Sequence, residues 1–257
     1  MDAGRRRFFI TAGILSLAGL DMTQTRGATR PALASPLPKP NAALKAKRWA
    51  MVINTRKISP ALAFQIIKAC HAAHNMPEIL DEKHKVSWIW TDSFKNVFAG
   101  QNMEQIPSYL THVPILALCN HCQSPPCVRV CPTKATFQGP GGIVMMDYHR
   151  CIGCRYCMAA CPYGARSFNW VDPGKHLQNP NPDYPARMKG VVEKCNFCED
   201  RLAKGLLPAC VEQCKNNEMV FGDLADPDSG PSRILRQSFA IRRKPELGTG
   251  PQVFYIV

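Results

Sequence analysis

The 257-residue sequence lacks several features that would assign it to a common class. It has no run of eighteen or more consecutive apolar residues, so it offers no obvious membrane-spanning helix. It contains no nucleophile paired with a base, no glycine-rich phosphate loop and no paired-carboxylate signature, and therefore no sign of hydrolysis or phosphoryl transfer. Acidic residues are scarce, with 19 Asp and Glu against 32 Lys and Arg. The formal charge of +13 would ordinarily indicate an anionic partner such as nucleic acid.

Cysteine, by contrast, is abundant and regularly spaced. There are 13 cysteines, an odd number that cannot pair completely in disulfides. Twelve of them form three groups: Cys119, Cys122, Cys127 and Cys131; Cys151, Cys154, Cys157 and Cys161; and Cys195, Cys198, Cys210 and Cys214. The second group has the C-x2-C-x2-C-x3-C-P spacing of bacterial ferredoxins, and the first differs only by two extra residues in one gap.

The first two groups predict two [4Fe–4S] clusters that exchange ligands. Three closely spaced cysteines wrap one cubane, and Gly153 lets the backbone come close. The fourth cysteine lies a helical turn further on, before a proline, and reaches the neighbouring cluster. We expect cluster 1 to be held by Cys119, Cys122, Cys127 and Cys161. We expect cluster 2 to be held by Cys151, Cys154, Cys157 and Cys131.

The third group requires a second motif with which to exchange ligands, and the candidate is an upstream motif that lacks most of its cysteines. Residues 49–57 read as a strand entering a loop. The places of three ligands are then taken by Ile58, Ala61 and Phe64, whose side chains could fill the volume of a cluster. By the exchange rule, cluster 3 is held by Cys195, Cys198, Cys210 and Cys70. Cys214 is then free; the alternative is that Cys214 closes its own group and Cys70 is an ordinary buried cysteine.

Three bound clusters would offset much of the positive charge of the sequence. Each oxidised cluster with four thiolates carries a charge of about −2, so much of the excess is balanced and nucleic-acid binding loses its support. Zinc is the other metal to consider, because zinc ribbons also use C-x2-C pairs. Three cysteines within seven residues, twice over and each time before a proline, do not fit that pattern, although the third group fits it better.

The N-terminus resembles an export signal. Arg5, Arg6 and Arg7 precede a short apolar run from Phe8 to Leu20, as in twin-arginine signals, and Ala34 ends a possible cleavage site. That route is associated with proteins that load cofactors before crossing the membrane, which suits a periplasmic iron–sulfur protein. An uncleaved anchor or a basic amphipathic segment that touches a membrane are the alternatives.

Ligand exchange predicts an α+β fold of tandem bacterial ferredoxin-like modules, each for two clusters, with one module inserted within the other. The expected segments are a signal peptide at 1–34, a linker at 35–48, the degenerate motif with an insertion at 49–113, the intact ferredoxin-like domain at 114–168, a proline-rich surface loop at 169–189, the fourth motif at 190–221, which pairs with 49–75, and a surface tail at 222–257 that ends in a strand. A further strand is expected at residues 143–147.

A few other residues lie close to the cysteines or alternate like a strand. His71, His74 and His121 are near cysteines and are interpreted as ordinary polar surface residues or as residues that support the ligands from behind, with hydrogen bonding to sulfur or tuning of the potential as the alternative. Trp88 and Trp90 alternate with Ser87 and Ile89 and are interpreted as core or partner-contact residues.

The sequence from residue 49 onward resembles the ferredoxin-like iron–sulfur subunits of membrane-associated bacterial respiratory complexes. These include partners of molybdopterin reductases for dimethyl sulfoxide, tetrathionate or polysulfide, and of NrfD-type quinone-interacting membrane proteins. Members generally have four motifs and four clusters, and this sequence departs from them at the first motif. Segments 145–154, 161–168 and 242–250 are most similar to the DsrO subfamily, which serves the DsrMKJOP complex of sulfite metabolism.

The resemblance implies a non-catalytic subunit that passes electrons between an integral NrfD-type membrane protein and other redox subunits, including a multihaem cytochrome c. It also implies a periplasmic position, peripheral to the inner membrane. The alternative within the family is the iron–sulfur partner of a molybdopterin oxidoreductase. An enzyme with an open iron site at Cys214 is a weaker hypothesis, because a single thiol cannot hold a cluster.

Overall fold

The computed structural model describes residues 42–100 and 107–257. The predicted signal peptide and the first half of the predicted linker, residues 35–41, lie outside these residues. Within the described ranges, no helix has both the length and the apolar character needed to cross a bilayer.

Ten short strands of the described residues form one four-stranded sheet and three two-stranded ribbons. The strands are β1 (Trp49–Asn54), β2 (Ile89–Asp92), β3 (Ile115–Leu118), β4 (Thr136–Gln138), β5 (Val144–Met146), β6 (Ser167–Phe168), β7 (Val192–Glu193), β8 (Met219–Asp223), β9 (Ala240–Ile241) and β10 (Val253–Ile256). The large sheet has the order β8-β1-β10-β9, and β2–β3, β4–β5 and β6–β7 are antiparallel ribbons.

Only one of the described helices exceeds eight residues. The helices are α1 (Pro60–Ala73), α2 (Phe94–Val97), α3 (Ser108–Thr111), α4 (Pro126–Arg129), α5 (Tyr156–Ala159), α6 (Glu199–Leu202), α7 (Ala209–Glu212) and α8 (Gly230–Gln237). The side chain of Ser59 accepts a hydrogen bond from the Leu62 N–H at 3.2 Å, and Pro60 occupies the first turn of α1. These two residues fix the N-terminus of α1 just after Ile58, the first of the three positions where the degenerate motif lacks a cysteine.

The core lies around β1 and β10, the two inner strands of the large sheet. Met51, Ile53, Val253 and Tyr255 are completely buried. The two strands pair in parallel, with Met51 opposite Val253. The expectation of a surface tail is therefore wrong for the last residues of the sequence, because the alternating apolar side chains of β10 are buried in the sheet rather than spread on the surface.

The regions on either side of the intact motifs meet in space. β1 pairs antiparallel with β8, with Met51 opposite Phe221, and α1 packs against α7. Residues 49–75 and 190–221 thus share both a sheet and a helix pair.

The proline-rich segment after β6 is mostly exposed, as expected, but it is pinned at two points. The Asn181 N–H donates to the side chain of Asn75 at 2.6 Å, and Tyr184 is buried against His74. Trp88 is buried in the core and Trp90 is half-buried, in agreement with their interpretation as core residues.

The strand expected at residues 143–147 is present as β5, after the turn Pro140–Gly142. Gly153, in the second motif, has a φ of +70°, and a Cβ there would collide with the carbonyl oxygen of Gly190. The glycine is thus required because two backbone segments pass close to each other.

Candidate metal centres

Three cavities are each lined by four cysteines. Cavity 1 lies between the end of β3 and the turns around α4 and α5, and measures about 320 Å³ including the part that opens to solvent. Its cysteines are Cys119, Cys122, Cys127 and Cys161. The remaining wall includes Val144, Pro162, Tyr163 and Arg166.

Cavity 2 lies nearer the surface and measures about 280 Å³ on the same basis. Its cysteines are Cys131, Cys151, Cys154 and Cys157, of which Cys154 is exposed. The Thr136 N–H donates to the Cys131 sulfur at 3.4 Å. Burial alone would raise the pKa of Cys131, but this bond and others from Thr133 and Ala135 outweigh burial and lower that pKa.

Cavity 3 measures about 300 Å³ and lies between α1, β3 and the turns around α6 and α7. Its cysteines are Cys70, Cys195, Cys198 and Cys210. His74 and Trp88 are part of the same wall. The structure thus brings together the three sets of four cysteines expected from the spacing, and it brings Cys70 rather than Cys214 into the third set.

These thiols suit a cationic group. Burial, reinforced by neighbouring cysteines, raises the pKa of Cys195 to about 12 and the pKa of Cys70 and of Cys198 well above the usual range. Thiols with such pKa values stay protonated unless a metal replaces their protons. All four donors of each cavity are soft sulfur atoms, the donor set that holds iron–sulfur clusters.

The described residues offer no compact site for a single ion. Within residues 42–100 and 107–257, no three His, Cys, Asp or Glu side chains converge closely enough to hold one metal ion. In each of the three sets, the four cysteines instead line the wall of a cavity.

The expectation that Ile58, Ala61 and Phe64 together fill the volume of a missing cluster is wrong for two of the three residues. Ile58 is buried, but Ala61 is exposed and Phe64 is 68% exposed. Only Ile58 can therefore fill core volume, because α1 starts at Pro60 and turns the other two side chains outward. Cys214 is half-buried with its sulfur 3.5 Å from the carbonyl oxygen of Cys210, and lines none of the three cavities.

Two of the histidines near the cysteines, His74 and His121, are buried rather than on the surface, and they act through packing and hydrogen bonds. His74 is buried, its Nδ1 lies 2.9 Å from the carbonyl oxygen and 3.8 Å from the sulfur of Cys70, and its ring packs on Trp88. His121 stacks on Phe197 at 3.6 Å between ring centres and accepts from the Val144 N–H at 3.1 Å. Burial lowers the pKa of His121 well below its usual value, so its ring is neutral.

Several buried charged residues near the cavities were not predicted from the sequence. Arg166, Lys194 and Arg187 are 5%, 1% and 4% exposed, and Glu193 is completely buried. Lys194 immediately precedes Cys195, and Arg166 is five residues after Cys161, so adjacency to a motif was the available signal. Burial lowers the pKa of Lys194, and the nearby Cys119, Cys195 and Cys127 oppose that effect.

Known proteins resemble this chain over nearly its whole length. Residues 112–175 and 182–224 match a family of 4Fe–4S dicluster domains. The sequence is 38% identical to the Hdr-like menaquinol oxidoreductase iron–sulfur subunit 1 of Archaeoglobus fulgidus, over 98% of this chain and 97% of the relative. This protein belongs to the family of iron–sulfur subunits of respiratory oxidoreductases.

Two further members of this family differ in the complexes for which they are named. A subunit of the tetrathionate reductase of Salmonella typhimurium is 34% identical over all of this chain and 89% of its own length. The iron–sulfur cluster-binding subunit of the menaquinone reductase of Nitratidesulfovibrio vulgaris is 34% identical over 81% of this chain and 88% of its own length.

Family membership confirms the main functional predictions. The protein is a non-catalytic electron-transfer subunit of an oxidoreductase complex, and it carries [4Fe–4S] clusters. Its fold is mixed α/β with a dicluster domain, in agreement with the coarse form of the predicted fold class.

Proposed function

We propose that this iron–sulfur subunit relays electrons through three [4Fe–4S] clusters held by twelve cysteines. The observation that carries the proposal is that each of three cavities is lined by four cysteines from two motifs. Cluster 1 would be bound at cavity 1, cluster 2 at cavity 2 and cluster 3 at cavity 3. Each bound cluster supplies a centre that accepts and gives up one electron.

The protein's own residues bind and shield these centres rather than react. Four cysteines occupy the ligand positions of each proposed cluster, so no open iron position is left for a substrate. Val144 on the wall of cavity 1 and Leu118 on the wall of cavity 3 are buried, so their side chains shield these two sites from water. Electron transfer through centres ligated only by cysteine fits this arrangement, and substrate chemistry does not.

The fold is proposed to consist of two ferredoxin-like modules, residues 114–168 inserted into a module that joins 49–75 to 190–221. Pairing of β1 with β8 and packing of α1 on α7 support the discontinuous module. The position of Cys70 and Cys195 on the wall of the same cavity supports it further. The segment boundaries given in the sequence analysis are part of this proposal.

The complex is proposed to be a membrane-bound respiratory complex of sulfur metabolism, of the DsrMKJOP type, with this chain in the DsrO position. Its partners would be an NrfD-type quinone-interacting membrane protein and a multihaem cytochrome c. The match to a protein named as a menaquinol oxidoreductase subunit over 98% of the sequence supports a quinol-linked complex. The degenerate first motif agrees with the same subfamily.

A molybdopterin oxidoreductase partner is the second candidate. It is favoured by the similarity to the tetrathionate reductase subunit over the whole chain and to a polysulfide reductase subunit of Wolinella succinogenes over 54% of it. Loss of one motif speaks against it, since relays to molybdopterin subunits generally use all four clusters.

The location is proposed to be the periplasmic face of the inner membrane, reached by the twin-arginine route. Arg5, Arg6 and Arg7, followed by an apolar run, support this proposal. Export of a fusion to the first 34 residues, with and without an Arg6→Lys and Arg7→Lys exchange, tests it. Export that survives the exchange would exclude the twin-arginine route.

Iron content and low-temperature EPR of anaerobically prepared protein test the relay itself. We expect about twelve irons per chain in the parent. Cys70→Ala should remove cluster 3 or convert it to a three-iron form, whereas the matched variant Cys214→Ala should keep all the iron. Unchanged iron in Cys70→Ala together with loss in Cys214→Ala would overturn the ligand exchange.

A further inference from the structure

Two buried cations occupy the walls between the cavities. Arg166 lines cavity 1, and its Nη1 donates to Thr136 Oγ1 at 3.2 Å and approaches Met146 Sδ at 3.2 Å. Thr136 and Met146 both line cavity 2. The guanidinium of Arg166 therefore stands between cavity 1 and cavity 2.

Lys194 occupies the corresponding position on the other side of cavity 1. Its Nζ donates to the carbonyl oxygen of Val144, a wall residue of cavity 1. It also donates at 2.7 Å to the carbonyl oxygen of Cys195, a wall residue of cavity 3. The order of the cavities is thus 3, 1 and 2, with cavity 1 in the middle and one cation at each junction.

The middle cavity is the one whose buried cations lack a balancing acid. Among the ion pairs of the described residues, none involves Arg166 or Lys194. Arg187, near cavity 3, is neutralised by the buried carboxylate of Glu193 at 2.7 Å. Arg155, on the wall of cavity 2, is exposed, so water screens its charge.

Two further cations reach cavity 1 from the C-terminal segment. The guanidinium of Arg243 lies over the ring of Tyr163 at 5.2 Å, and Lys244 Nζ donates to the carbonyl oxygen of Pro162 at 2.9 Å. Tyr163 and Pro162 are both wall residues of cavity 1. Positive charge is therefore concentrated around the middle of the three sites.

We propose that Arg166 and Lys194 give the cluster at cavity 1 the highest reduction potential of the three. Reduction adds one negative charge to a cluster, and a cation at close range in a low-dielectric interior favours the charged product. Electrons that enter at either end would then collect at the middle site. This inference rests on the proposed three-cluster relay and adds its order and its energetic profile.

Redox titration of the intact protein, followed by EPR, tests the profile. The signal of the middle cluster is identified as the one altered by Cys161→Ser. Arg166→Gln and Lys194→Gln should each lower the equilibrium constant for reduction of the middle cluster at least tenfold. This corresponds to a fall of about 59 mV in the reduction potential for one electron. Arg166→Lys should largely restore the parent value, because it keeps the charge without the fork of donors.

An exposed arginine near the same motif provides the matched control. Arg129 ends α4, two residues after Cys127, and is exposed to solvent. Arg129→Gln should shift the potentials by much less than the buried substitutions. If Arg166→Gln fails to load iron, Lys194→Gln and Arg166→Lys carry the same comparison.

Two results would overturn the inference while leaving the relay intact. One is a parent with about twelve irons whose highest-potential signal is unaffected by Cys161→Ser. The other is a middle-cluster potential that does not change in Arg166→Gln and Lys194→Gln. A parent that holds fewer than three clusters would instead contradict the proposed function.

Discussion

Two regions of the molecule hold their cysteines in different ways. The motif region, residues 114–168, lines two cavities with four-residue helices and strands of four residues or fewer. The sheet region, residues 49–75 and 190–257, has a four-stranded sheet and a 14-residue helix but contributes the cysteines of a single cavity. Regular secondary structure is therefore most extensive where one set of ligands has been lost.

The difference has a physical reason. Short helices and two-stranded ribbons are marginal by themselves, so the motif region needs its bound groups to remain ordered. The sheet region buries Met51, Ile53, Val253 and Tyr255 and can be stable without metal. With the proposed three clusters, this region would lack a fourth, and its capped helix and sheet would stabilise it instead.

Iron removal should produce the largest difference in stability between the two regions. After anaerobic treatment with a chelator, the part of the motif region beyond β3, residues 119–168, should lose nearly all protection in hydrogen–deuterium exchange, because metal binding supplies its folding free energy. β1, β8 and β10 should keep most of theirs. Equal loss of protection in both regions would show that the sheet region depends on iron as well.

Removal of the buried carboxylate of Glu193 should have the next largest effect, on the stability of the sheet region. Glu193 accepts hydrogen bonds from Trp88 Nε1 at 2.9 Å and Arg187 Nε at 2.8 Å. Glu193→Ala leaves the guanidinium buried and unpaired, and should lower the free energy of unfolding by about 3–5 kcal/mol. Urea unfolding of the iron-loaded protein measures this.

A half-exposed ion pair in the same region provides the control for that substitution. Glu212 contacts Arg201 at 2.5 Å, with its side chain 40% exposed. Glu212→Ala should cost less than about 1 kcal/mol. Equal costs for the two substitutions would contradict the assignment of Glu193 as the buried ion-pair partner of Arg187.

An attempt to restore the cysteines of the degenerate first motif should have the smallest effect, with no change in iron content. In the triple variant Ile58→Cys, Ala61→Cys and Phe64→Cys, iron should stay at about twelve per chain. The reason is that Ala61 and Phe64 lie on the capped helix α1 and are exposed, rather than in a loop that wraps a cubane. A rise to about sixteen irons would show that the motif can still close around a cluster with Cys214.

Much of the candidate site could be predicted from the sequence, because ligand spacing is a local requirement with a long-range consequence. The exchange rule predicted that Cys161 would meet Cys119 and that Cys70 would meet Cys195, far apart in the sequence. The strand β5 was also predictable from its apolar residues after a glycine-rich turn.

The rest depends on tertiary packing that local patterns do not encode. The place of β10 inside the sheet follows from its pairing with β1, near the opposite end of the described residues, and no local signal distinguishes it from a surface strand. The burial of Arg166 and Lys194 likewise results from the cavities that meet around them. The exposure of Phe64 was not predicted because Pro60 starts a helix where a loop was expected.

Anomalous diffraction at the iron edge, on crystals of the iron-loaded protein, tests the three-cluster relay most directly. The account predicts three peaks: one among Cys119, Cys122, Cys127 and Cys161, one among Cys131, Cys151, Cys154 and Cys157, and one among Cys70, Cys195, Cys198 and Cys210. A peak beside Cys214, or none at the third position, would contradict it.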